Sequence, residues 1–188
     1  MKQALSMLLM IVLLLPFLPM KGFAGNSFTF SVTANYLAPK DEGFKEIYGN
    51  SVIYPELKLG YKMSESWILW VRYGFLSATG TTPVLNREAK STQHFLSGGP
   101  GYMGKISPKL LYTLEAGVFY VKYKEEALEE ELSDSAIGFR FDGGLMYRLS
   151  QTLFVEMTIG YLKASDTIEG FPVELGGFKA GIGLGAAF

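Results

Sequence analysis

The chain has 188 residues, no cysteine, one histidine and 17 basic against 18 acidic residues, a formal net charge of -1. That balance gives a nucleic-acid partner no electrostatic support. The lack of cysteine excludes a disulfide-stapled secreted module and a lipid-attachment site, and the length suits one domain.

The first segment reads as an export address. Lys2 precedes an apolar run, "LLMIVLLLPFLP" at residues 8–19, and Gly22 and Ala24 offer small residues around a cut site. This pattern predicts a signal peptide over residues 1–24, because the run is too short and too proline-broken to span a bilayer. Its removal takes away Lys2 and Lys21, leaving 15 basic against 18 acidic residues in a domain of residues 25–188. No later apolar run is long enough for a transmembrane helix.

After residue 26 the hydrophobic period is two almost throughout, the signature of strands. Phe28, Phe30, Val32, Ala34 and Tyr36 oppose serines, threonines and Asn35. Ile53, Leu57, Leu59 and Tyr61 oppose Tyr54, Glu56 and Lys58, and Trp67, Leu69, Val71, Tyr73 and Phe75 oppose Trp70 and Arg72. The glycine-rich residues 93–105 form the next strand, with their facing left open. Tyr112, Leu114, Val118 and Tyr120 oppose Thr113 and Glu115, and Ile137, Phe139, Phe141, Leu145 and Tyr147 oppose Arg140 and Asp142. Leu153, Val155, Met157 and Ile159 oppose Glu156 and Thr158. In the last strand Phe178, Ala180, Ile182, Leu184, Ala186 and Phe188 oppose Lys179 and glycines. Short connections at 64–66, 107–109 and 150–152 alternate with longer polar ones at about 38–50, 77–92, 124–135 and 163–174. The reading is all-β: an eight-stranded antiparallel up-and-down transmembrane β-barrel.

Two features turn the apolar parity toward lipid. Aromatics recur eight residues apart on that parity, as Phe28 and Tyr36, Trp67 and Phe75, Tyr112 and Tyr120, Phe139 and Tyr147. Eight residues at ~3.3 Å, tilted ~40°, rise about 20 Å, close to an apolar band flanked by aromatic girdles. The other parity carries small residues and charges of both signs, which suit a narrow lumen.

A final amphipathic strand ending in Phe188 resembles the C-terminal signature of bacterial outer-membrane barrels. The full pattern is similar to the small outer-membrane protein family of the OmpA transmembrane domain, OmpX and OmpW, within the Gram-negative envelope. The resemblance implies a cell outer-membrane location, contact with outer-membrane lipid and lipopolysaccharide, and recognition of Phe188 by the barrel-assembly machinery. It also implies a monomer without cofactor or metal.

The inward parity places eight charges in the lumen: Glu56, Lys58, Arg72, Glu115, Arg140, Asp142, Glu156 and Lys179. Four are basic and four acidic, so a paired network filling the lumen is expected, since buried charges must pair whatever the function. The acidic segment holding Glu125, Glu126, Glu129, Glu130, Glu131 and Asp134 reads as a solvated tip and also suits a short helix. An extracellular-loop ligand is left unspecified. His94 and Ser97 lie three apart in a strand and so point to opposite faces, which argues against a lipid-modifying hydrolase and for no enzyme activity. The functional expectation is a structural or surface-interaction protein. The alternative is a porin-like narrow channel for ions or small hydrophobic solutes.

Overall fold

The computed structural model describes residues 27–83, 85–127, 130–168 and 171–188. The expected signal peptide with its cleavage after Ala24, Glu129, and the side chain of Glu130 lie outside the described residues. Eight antiparallel strands follow one another around the wall: β1 (Phe28–Pro39), β2 (Val52–Lys62), β3 (Trp67–Thr81), β4 (Glu88–Lys105), β5 (Leu110–Ala127), β6 (Glu130–Arg148), β7 (Leu153–Ile168) and β8 (Phe171–Ala187). Each pairs with its chain neighbour, and β8 closes on β1, so no edge is left open. Closure lets a wall of strands satisfy its backbone groups in lipid.

The alternation of the sequence becomes an inside and an outside. Ile53, Leu69, Val71, Leu114, Val118, Ile137, Ile159 and Ile182 are exposed on the outer surface. The aromatics expected as girdles, Phe28, Tyr36, Trp67, Phe75, Tyr112, Tyr120, Phe139 and Tyr147, all lie on this outer face. At the short-turn end they are joined by others, with Phe28 against Tyr61, Trp67 against Tyr102 and Tyr102 against Tyr112 at centroid distances of 5.0, 5.8 and 6.1 Å. The open facing of β4 resolves to odd residues inward: Ala89, Ser91, Gln93, Phe95 and Ser97 are all buried. Pro100 has no N–H to donate, and the paired register with β5 skips Gly99 and Pro100. The luminal Trp70 indole donates instead to the Pro100 carbonyl at 2.9 Å.

The long polar connections are shorter than the composition suggests. On either side of residues 128–129 the acidic segment is strand, neither loose loop nor helix, because β5 and β6 continue pairing until Ala127 faces Glu130. Glu126 and Glu131 sit opposite each other, and Lys124 neutralises both, at 2.7 and 2.8 Å. Backbone pairing with an interposed cation outweighs the like-charge repulsion. Residues 163–168 likewise continue β7, and residues 171–174 already belong to β8.

The first connection holds a helix, α1 (Glu42–Tyr48). Asp41 caps it by accepting from the Phe44 N–H at 2.8 Å, Glu42 lies in its first turn, and Gly49 ends it at φ 92°. This is a standard N-cap with a carboxylate at the positive end of the helix. A Cβ at residue 80 would strike the Ile47 carbonyl, so Gly80 lets α1 seat directly against β3.

Candidate functional site

The eight inward charges converge on one belt to which every strand of the barrel contributes. Glu56 and Lys58 come from β2, Arg72 from β3, Glu115 from β5, Arg140 and Asp142 from β6, Glu156 from β7 and Lys179 from β8. All eight are buried, with residue exposures of 5% or less. Glu56 is the hub: Arg72, Arg140 and Lys179 approach it at 2.8, 2.7 and 3.1 Å. Arg72 also reaches Glu115 at 2.6 Å, which accepts from Lys58. Asp142 pairs with Arg140 and, at 3.0 Å, with Lys179. Glu156 lies 3.9 Å from Lys58 and accepts from the Ser31 hydroxyl of β1. From β4, Ser97 accepts from Arg140 at 3.1 Å.

The network is a layer rather than a column, which corrects the expectation that charges fill the lumen. Toward the α1 end the inward parity turns apolar, with Leu37, Tyr54, Leu76, Phe95, Phe119, Val121 and Leu162 packed together. Toward the short-turn end Leu111, Met146 and Phe154 form a second apolar cluster. The physical reason is the width of the barrel: eight strands leave space that inward side chains can close. Apolar layers also keep water from the charges, which strengthens their mutual attraction. Trp70 lies within the belt, and the Arg72 and Arg140 guanidinium carbons each stand 5.7 Å from its ring centroid. That distance suits a cation–π contact.

A second feature lies above the upper apolar layer. Phe44 and Tyr48 of α1, one turn apart with ring centroids at 4.7 Å, cover the mouth of the barrel and pack against the upper cluster. They enclose a cavity of about 250 Å³ walled by Leu37, Val173 and Leu175 and bordered by Tyr123 and Glu125. Glu125 accepts from the Tyr48 hydroxyl and, at 2.6 Å, from Ser91. Burial, followed by the bond to Glu125, pushes the Tyr48 hydroxyl well above its ordinary pKa, so it remains a donor.

The spacing of inward charges revealed the belt, but four other residues of the lumen and mouth had no such signal. Trp70 shares the inward parity of Arg72, but nothing in the sequence marks it as a partner of the two guanidiniums. Phe44 and Tyr48 stand in a segment without strand alternation, and only the capping residue Asp41 marks a helix there. Glu125 appeared as part of an acidic tip, whereas its side chain turns toward the mouth. His94 and Ser97 are separated as expected: His94 is exposed and meets the Tyr73 hydroxyl at 2.8 Å, while Ser97 is luminal.

No protein-family model and no curated protein sequence matches the chain. Solved structures do. OprG from Pseudomonas aeruginosa aligns with a TM-score of 0.65 at 15% identity, covering 86% of this chain and 95% of that one. Neisserial surface protein A aligns at 0.63 and 12% identity, covering 89% and 100%. Ail, the attachment invasion locus protein of Yersinia pestis, solved with the heparin analogue sucrose octasulfate, aligns at 0.55 and 14% identity, covering 86% and 97%. Identities this low speak for architecture alone. With its closed wall, outward apolar surface and inward charges, the chain has the fold of the small eight-stranded outer-membrane β-barrels.

Proposed function

We propose that the protein is a monomeric outer-membrane barrel with a structural and surface-interaction role, its lumen closed at rest. The observation that carries this reading is the layered lumen, a paired charge belt between two apolar clusters. An ion passing through would shed its water at each apolar layer and displace a paired charge at the belt, and both steps are costly. Residues 1–24 direct export and are then cut off, and the outer surface sits among lipid and lipopolysaccharide. Phe188, hydrogen-bonded through its backbone to Phe28 in both directions at 2.9 Å, supplies the signal read by the assembly machinery. The luminal charges hold the wall together and perform no catalysis.

The capped apolar cavity favours one second reading, a narrow path for small hydrophobic solutes, which would require Leu76, Phe95 and Phe119 to move aside. Single-channel recording on the purified protein in planar bilayers separates the two. The closed reading expects no steady conductance, and a large, steady pore would overturn it in favour of the channel.

A further inference from the structure

We propose that the α1-capped mouth binds a small organic cation, an ammonium carried on an apolar body, with Glu125 as the counter-charge. This goes beyond the closed-lumen reading and does not rest on it.

Among the described residues the cavity presents three carboxylates, Asp41, Glu125 and Glu174, and is lined by no lysine or arginine. Two of the three are already engaged. Asp41 caps α1 and accepts from the Glu174 N–H at 3.3 Å, while Glu174 pairs with Lys40 at 2.9 Å. Glu125 differs. Its partners, Tyr48 and Ser91, are neutral hydroxyls, and among the described residues it forms no ion pair. Hydroxyls orient a carboxylate without cancelling its charge, and a half-buried charge normally gains a partner of opposite sign.

The surroundings select the rest of the ligand. Phe44, Tyr48, Leu37, Val173 and Leu175 offer an apolar surface for a ring or short chain. The aromatic faces of Phe44, Tyr48 and Tyr123 also attract a cation. A neutral hydrocarbon would bury Glu125 further without compensation, and an anion would face three carboxylates. At about 250 Å³ the cavity falls just below the usual range for ligand pockets, which suits a single ring rather than a long acyl chain. Glu125 stands beyond the girdle residue Tyr120 on β5, so the ligand enters from water rather than from the bilayer.

The test uses the protein purified from membranes and placed in zwitterionic lipid nanodiscs, titrated calorimetrically with 2-phenylethylammonium, 2-phenylethanol and phenylacetate. The ammonium should bind at least about tenfold more tightly than the alcohol, and phenylacetate should not bind. Glu125→Gln should weaken the ammonium by about tenfold or more while leaving the alcohol within about twofold. Ala89→Phe, which fills the cavity from β4, should abolish binding of both while the folded-barrel gel shift is retained. Equal affinity for ammonium and alcohol, ammonium binding unaffected by Glu125→Gln, or no ammonium binding in the unmutated protein would each overturn the proposal.

Discussion

Glu56 accepts from Arg72, Arg140 and Lys179, so neutralising it leaves three buried cations short of countercharge at once. Removing one member of a buried ion pair costs about 3–5 kcal/mol when the partner has no other support. Glu56→Gln should therefore lower the urea midpoint of the folded barrel strongly. Arg72→Ala should cost less, because Glu56 keeps two cations and Glu115 keeps Lys58. Glu156→Gln should cost least, since its cation is 3.9 Å away and the Ser31 hydroxyl can still bond to the amide. Unfolding curves for the three variants rank them, and equal midpoints for Glu56→Gln and Glu156→Gln would remove the hub role.

At the scale of elements, the strands and the single helix draw on different sources of stability. A strand in this wall is held by two neighbours along most of its length, and β5 and β6 stay paired as far as Ala127 and Glu130. The seven-residue helix α1 is too short to persist by its own hydrogen bonds. Its cap, its Phe44 and Tyr48 contacts and its seat at Gly80 keep it in place. Asp41→Ala removes the cap, at a local cost of about 1 kcal/mol. Amide exchange at Phe44 should then quicken several-fold while exchange in the β5–β6 ladder stays unchanged. A matching change in the ladder would mean that the helix supports the barrel instead of resting on it.

For the whole molecule, the short turns and the α1-capped mouth define opposite ends, and the architecture expects the capped end to face outward. The chain lacks cysteine, so one introduced thiol reports one position. With a polyethylene-glycol maleimide too large to cross the outer membrane, Ala127→Cys should label on intact cells. Lys109→Cys, in the turn before β5, should label only after the membrane is breached. The opposite pattern would invert the orientation.

Strand number, barrel class, the outward aromatics and all eight belt charges were legible in the sequence. Each depends on a period of two that is local to one strand, and a side chain's face follows directly from its parity. Tertiary structure decided the rest, because it depends on which residues meet across the lumen. Parity puts Glu56 inside, but only closure brings it to Arg140 and Lys179 from distant strands. Parity also cannot reveal height along the barrel, and height separates the charge belt from the apolar layers above and below it. The described residues of the acidic segment became paired strand because their backbone found partners that composition does not record. The mouth cavity exists because α1, a segment outside the alternating pattern, folds over the end of a wall that the alternation built.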